Sequence, residues 1–255
     1  MEIILDARGV NKVFGNRKNS FSALRDIDLK MVKGEFVAVM GPSGAGKSTL
    51  LNVLSTIEKP SSGVIMVDGQ NVSGMSDKDL TEYRRGKMGF IFQDYNLLDT
   101  LTVEENILLP LAFSRKSPGE INNRVKDLAA RFGIKEILDK YPYEISGGQQ
   151  QRTAVCRAIV GNPSILFADE PTGALDSKSA YQLLETLSGL NQEKQSTILM
   201  VTHDAYAASF CSRVVFIKDG ALFTEIRKGE QSRKQMFQQI LNILSTLGGI
   251  QYDIV

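Results

Sequence analysis

The stretch Gly41-Pro-Ser-Gly-Ala-Gly-Lys-Ser-Thr49 decides the fold. It fits the spacing G-x-x-x-x-G-K-[ST] of a phosphate-binding loop. Gly41, Gly44 and Gly46 carry no Cβ, so the backbone can turn tightly and aim its N–H groups at phosphate oxygens. Lys47 sets a positive charge on β- and γ-phosphates, and Ser48 offers a hydroxyl to Mg²⁺. Pro42, Ser43, Ala45 and Thr49 complete the nucleotide-binding stretch. Its flanks agree with this reading. Glu35-Phe-Val-Ala-Val-Met40 is an apolar run suited to a buried strand, and Ser48 to Leu54 starts a helix whose N-terminus faces the phosphates.

Working outward, further apolar runs alternate with helical patterns. Strands are expected at Ile3–Val13, Ala23–Lys30, Val64–Val67, Met88–Phe92, Ser164–Glu170 and Thr197–Thr202. Gly15 to Ser22 is polar and reads as a loop. Asp68-Gly69 and Asp219-Gly220 are hairpin turn signals, the second joining Val214–Ile217 to Ala221–Thr224. Ser76 caps one helix, Thr102 with Glu105 another, and Ser117-Pro-Gly-Glu120 a third. Helices are also expected from Gln149 through Val160, from Lys178 to Asn191, and at the C-terminus on the face of Met236, Ile240, Ile243, Leu244 and Leu247. The pattern predicts an α/β fold with a mostly parallel sheet covered on both faces, an antiparallel β portion and a helical insertion.

The 255 residues are 42% hydrophobic and 23% charged, an ordinary globular balance, and the formal net charge of +1 gives no general pull toward nucleic acid. Cys156 and Cys211 are too few for a disulfide framework and lack metal-ligand spacing. No secretory signal opens the chain, and Ile107–Phe113 falls far short of the ~20 residues a membrane helix needs. A cytoplasmic protein is expected, with any membrane span supplied by a partner.

Three expected strands end in groups suited to phosphate chemistry, where open sheets bind ligands. Asp169 closes Ile165-Leu-Phe-Ala168 and suits Mg²⁺ binding. Glu170 follows and can orient and deprotonate a water. His203, the single histidine, ends the next apolar strand and can donate to a γ-phosphate. Gln93 ends Gly89-Phe-Ile-Phe92 and can reach Mg²⁺ or the water. Ser146-Gly-Gly-Gln149 opens a helix and makes a second anion site. One nucleotide already has its loop, so the second site suggests service to the nucleotide of another copy. A plain serine-capped helix is the alternative.

Phe14, Gly41–Thr49, Gln93, Ser146–Gln149, Asp169-Glu170, Ala174-Leu-Asp176 and His203 occur in the order found in ATP-binding cassette (ABC) ATPases, which the whole chain resembles. The resemblance implies one ABC ATPase domain with Mg²⁺ and ATP. A RecA-like core with its antiparallel β part would occupy 1–93 and 146–230, a helical subdomain about 94–145, and a C-terminal helix and tail about 231–255. By resemblance Phe14 stacks on adenine. Asp176 lies in the D-loop at a dimer seam, and Ser146, Gly147, Gly148 and Gln149 are the signature that meets the other subunit's γ-phosphate. Ile145 stands where Leu is usual and Phe14 where Tyr is commoner. Glu170, His203 and Gln93 take the catalytic positions, and Ser48, Gln93 and Asp169 the Mg²⁺ positions.

Gly89 to Pro110 resembles the branch of macrolide exporters, lipoprotein-release ATPases and a cell-division ATPase. Asp94–Asp99, Lys140–Ser146, Thr172–Lys178 and the ending Leu247-Gly-Gly-Ile-Gln251 look most like bacitracin-resistance (BceA-type) ATPases. This resemblance implies a homodimer on the inner face of the membrane. It would power a large permease by ATP-driven closure, with a sensor histidine kinase as a further partner. Asp99, Leu101 and Tyr141 are the expected permease contacts. The lipoprotein, macrolide and cell-division readings remain alternatives. A soluble repair or translation ATPase fits less well, because the chain has one phosphate loop and only a short insertion.

Overall fold

Five apolar residues form β3 (Phe36–Met40), and all five are buried. The computed structural model describes residues 2–16, 19–112, 114 and 116–248. Strand β3 pairs in parallel with β8 (Thr197–Val201) and β9 (Arg213–Lys218). On the far side of β8 lie β7 (Ile165–Asp169) and β6 (Met88–Ile91), also parallel. Strand β10 (Ala221–Arg227) returns antiparallel to β9, which gives a six-stranded sheet β10-β9-β3-β8-β7-β6. A second sheet, β2-β1-β4-β5, is antiparallel and built from β1 (Ile3–Asn16), β2 (Asn19–Val32), β4 (Ser62–Val67) and β5 (Gln70–Asn71).

Because side chains alternate along a strand, β3 feeds two cores. Phe36, Ala38 and Met40 join one core, with α3 (Val103–Leu108), α4 (Pro118–Arg131), α5 (Gly147–Ile159), α6 (Ser177–Lys194) and α8 (Arg233–Thr246). Val37 and Val39 join the other. That second core holds α1 (Lys47–Leu54), whose Leu50, Leu51, Val53 and Leu54 pack with Leu5, Leu24, Ile27 and Leu29 of the antiparallel sheet. Helix α1 thus lies between the two sheets. Helix α2 (Asp77–Lys87), with Leu80 and Tyr83, closes the same core.

The capping signals at Ser76, Thr102 and Ser117 are realised: each side chain accepts from the backbone N–H three residues on. Both Asp-Gly pairs turn with positive φ at both positions. Two expectations change, and one short helix is new. Within the expected loop at 15–22, Gly15, Asn16 and Asn19–Ser22 are strand, because β1 and β2 continue outward through the pairs Phe14–Phe21, Gly15–Ser20 and Asn16–Asn19, while Arg17 and Lys18 lie outside the described residues. Both faces of that hairpin end meet solvent, so no apolar alternation marks it. Helix α5 starts at Gly147 rather than Gln149, because Ser146 and Gln149 form a reciprocal capping box that outweighs two glycines. Helix α7 (Ala205–Ala208), capped by Asp204, is too short to show a period. Helix α8 packs against α6 and α7, with Arg233 over the ring of Phe210 at 4.4 Å and 3.4 Å from Glu185. Gly249–Gln251 of the expected C-terminal wording lie outside the described residues.

A buried charge cluster stitches the sheets together. The Arg213 guanidinium of β9 donates to the carbonyl of Lys30 in β2 at 2.8 Å and to Glu35 at 3.3 Å, and it also pairs with Glu225 of β10. Without Arg213, the buried Glu35 would keep only the exposed Arg227, 3.6 Å away, as a cationic partner. Arg213→Met is therefore expected to destabilise the protein by about 3–5 kcal/mol in urea unfolding. The double variant with Glu35→Leu should recover part of that loss.

Candidate nucleotide site

The loop at 41–46 is shaped by close backbone packing. A Cβ on Gly41 would sit 2.1 Å from the carbonyl oxygen of Ile217, and one on Gly46, at φ +100°, 2.7 Å from that of Ala23. Two hydrogen bonds hold the arrangement, from the N–H of Gly220 to the Ala45 carbonyl and from that of Arg25 to the Gly220 carbonyl. The β9–β10 turn and β2 therefore clamp the loop from one side. Its other side, at Ser43, Gly44 and Ser48, is exposed. Lys47 Nζ donates to the carbonyls of Gly41 and Pro42, each at 2.9 Å, which arches the lysine back over the loop. Burial pulls its pKa down, while Glu170 and Asp169 oppose that shift.

The carboxylates nearby come from the end of β7, and an imidazole from just past β8. Burial raises the pKa of Asp169, the neighbouring Glu170 adds to this, and Lys47 counters it. Its Oδ1 is buried with no hydrogen-bond partner. A buried, unpartnered carboxylate oxygen beside a loop with a free serine hydroxyl fits a hard divalent cation, so Asp169 and Ser48 suit Mg²⁺. Glu170 has φ +43°, a left-handed conformation that costs a non-glycine residue about 1–3 kcal/mol. Hydrogen bonds from its N–H to the Val201 carbonyl and to its own carbonyl from Gly173 hold it there. The turn places Glu170 Oε2 2.7 Å from His203 Nδ1. His203 is 69% exposed and Glu170 22%, so the imidazole sits outermost.

Gln93 reaches the same place from β6. A Cβ on Gly173 would lie 3.3 Å from its Nε2, so Gln93 borders the loop that follows Glu170. Phe14 is 38% exposed on the β1–β2 hairpin, with Lys12 Nζ 4.7 Å from its ring centre. One face of the ring is thereby taken by a cation that is itself paired with Glu58 at 2.6 Å.

Ser146 and Asp176 each cap a helix, α5 and α6. Ser146 Oγ accepts from the Gln149 N–H at 3.4 Å, and Gln149 Oε1 accepts from the Ser146 N–H at 2.9 Å. Both side chains thus cap their own helix. Asp176 caps α6, accepting from the N–H groups of Lys178 and Ser179 and from Ser179 Oγ at 2.7 Å. These bonds, the Ser179 hydroxyl first, lower its pKa. Ser179 Oγ also lies 3.4 Å from a Cβ built on Gly148. The exposed ends of α5 and α6 therefore share one edge.

An apolar groove of about 430 Å³ runs beside β6 and is lined by Phe90, Phe92, Asn96, Leu109, Pro110 and Arg157 among others. Asp99, Leu101 and Tyr141 do not line it. Asp99 and Leu101 sit on a separate turn organised by the buried Asn106, whose amide donates to the carbonyls of Leu98, Leu101 and Thr102. Tyr141 stacks on Tyr143 at 5.5 Å on the surface. Sequence reading missed Asn106 and Arg157. The one signal for Arg157 was a lone arginine in the apolar run Ala154-Val-Cys-Arg-Ala-Ile159. Among the described residues, no helix is long and apolar enough to cross a membrane.

The family model described as ABC transporter matches residues 24–173. The chain is 52% identical to the bacitracin export ATP-binding protein BceA of Halalkalibacterium halodurans, over 98% of this chain and 99% of that one. It is 40% identical to the macrolide export ATP-binding/permease protein MacB of Mannheimia succiniciproducens, over 88% of this chain and 35% of that protein. Among solved structures, the dimeric post-hydrolysis state of the cassette MJ0796 bound to ADP and Pi superposes with a TM-score of 0.81. It is 38% identical and covers 88% of this chain and 98% of its own. The phosphate loop, the strand-end carboxylates and these matches converge: the chain belongs to the ABC transporter family, as an ATP-binding cassette that hydrolyses ATP with Mg²⁺.

Proposed function

We propose that this cassette works as a homodimer on the cytoplasmic side of a membrane permease and confers resistance to cell-wall-targeting peptide antibiotics such as bacitracin. The carrying observation is the match to BceA along 99% of that protein's length. The MacB match, by contrast, stops at 35% of a longer ATP-binding/permease chain, so this chain resembles only its ATP-binding part. The dimeric form of MJ0796 supports the self-association. A histidine-kinase partner rests on the sequence resemblance alone.

In this reading Phe14 stacks on the adenine through the face that Lys12 leaves free. The N–H groups of Gly41 to Thr49 and the Lys47 ammonium hold the phosphates. Ser48, Asp169 and Gln93 hold Mg²⁺, which when bound neutralises developing phosphate charge. Glu170 takes the proton of the attacking water, and His203 orients that carboxylate through the 2.7 Å contact. Ser146 to Gln149 complete the site of a second copy, and Asp176 lies at the seam. Closure of the two copies then drives the permease. The groove at Phe90, Phe92, Leu109 and Pro110 is the better candidate for gripping it, in place of Asp99, Leu101 and Tyr141.

Deleting the gene in its host should lower the inhibitory concentration of bacitracin several-fold and leave that of a macrolide unchanged. The opposite pattern would favour macrolide export. Glu170→Gln should lower kcat by at least about 10²-fold while retaining ATP binding, and should accumulate an ATP-bound dimer in size-exclusion chromatography. Turnover near the wild-type rate would remove Glu170 as the base. Asp169→Asn should raise the melting temperature of nucleotide-free protein, because it removes a buried charge that Glu170 repels. The same variant should lose the extra stabilisation that Mg²⁺ adds to ATP. In the wild type the raised pKa of Asp169 has a further consequence. As pH falls its proton competes with Mg²⁺ sooner than at an ordinary carboxylate, so the Mg²⁺ requirement for turnover should rise toward acid pH.

A further inference from the structure

The backbone directly after Gln93 is held in an unusual way. Tyr95 and Asn96 both adopt left-handed conformations, φ +59° and +47°, within a tight turn closed by the Asn96 N–H on the Asp94 carbonyl. Neither is glycine, and for Tyr95 above all the left-handed backbone persists only where the surroundings hold it. The holder is Arg157 of α5. Its Nη2 donates to the Tyr95 carbonyl and its Nη1 to the Asn96 carbonyl, both at 2.6 Å. A planar guanidinium can grip two adjacent carbonyls at once, which an ammonium cannot. Among the described residues no carboxylate pairs with Arg157, and burial lowers its pKa. The guanidinium is thus committed to the loop. The same loop also touches the other end of α5, where a Cβ on Gly147 would lie 3.5 Å from Tyr95 Oη. Gly147 and Arg157 are separated by about 15 Å of helix.

We propose that Arg157 is a positioning residue for ATP hydrolysis: its fork ties the loop carrying Gln93 to the helix that begins at Ser146, so both reach the nucleotide as one piece. The proposal rests on the reading of Gln93 as part of the catalytic site. Arg157 touches no substrate. It sets where Gln93 stands against the Glu170–Gly173 loop, and a displaced group of that kind costs turnover more than binding. Arg157 also lines the apolar groove, so an occupant there would bear on this grip.

The test is a double-mutant cycle in the full chain, with ATPase kinetics, binding of a fluorescent ATP analogue and thermal melting measured on each variant. Arg157→Lys keeps a cation but loses the fork, and Arg157→Met serves as its neutral counterpart where it folds. Arg157→Lys should lower kcat about tenfold with nucleotide affinity held within about twofold. In a Gln93→Ala background the same change should lower kcat by less than about twofold, because the group it positions is gone. Unchanged kcat in Arg157→Lys, nucleotide affinity lost in step with kcat, or a full tenfold further loss in the double variant would each overturn the proposal. If Gln93→Ala alone leaves kcat unaltered, the reading of Gln93 fails first and the proposal falls with it. That outcome is distinct, because the single variant reports it.

Discussion

The structure depends on the wedging of one short helix between two sheets. Helix α1 buries Leu50, Leu51, Val53 and Leu54 against strands of both sheets, and that packing sets where its N-terminus points. The loop before it has no slack. Gly41 and Gly46 lie so near the carbonyls of Ile217 and Ala23 that even a methyl group would collide. A phosphate site needs backbone N–H groups held in place before the ligand arrives, since reorganisation at binding would cost affinity. The two sheets supply that rigidity, and the charge cluster at Arg213 secures the seam between them.

From that anchor the parallel register does the rest. Asp169 pairs across from Val201, so the end of β7 and the residues just past β8 fall side by side. Asp169, Glu170 and His203 meet for this reason, although Glu170 and His203 are 33 positions apart in the chain. The division of labour between the two acids comes from backbone geometry. Asp169 stays in the strand and keeps an unpartnered oxygen in the interior. Glu170 turns left-handed and swings its carboxylate to the imidazole. Two identical functional groups, adjacent in the chain, thereby acquire different environments and different chemistry.

The residues expected to serve a second copy have a structural duty in their own chain. Ser146 and Gln149 cap α5, and Asp176 caps α6, with Ser179 Oγ near both Asp176 and Gly148. A helix cap orients its backbone N–H groups outward, so capping and presentation of an anion site are compatible. A change at Ser146 consequently mixes two effects, a lost cap worth about 1 kcal/mol and a lost contact to the partner's nucleotide.

Local chemistry made much of this legible from the residues alone. The phosphate loop, the strand-ending acids, the caps at Ser76, Thr102 and Ser117 and the Asp-Gly turns all rest on interactions within a few neighbouring residues, and their spacing carries the signal. Other features depend on contacts far apart in the chain. The β1–β2 hairpin extends through a polar stretch because strand pairing, rather than burial, holds it. The left-handed turn of Glu170, its close approach to His203 and the groove that excludes Asp99, Leu101 and Tyr141 also belong to tertiary structure. So does Arg157, whose partners Tyr95 and Asn96 lie about 60 residues earlier. The sequence by itself determined which groups exist and the chemistry each can do. Only the fold decided which of them meet, because the packing of α1 between two sheets and the register of five parallel strands set those distances.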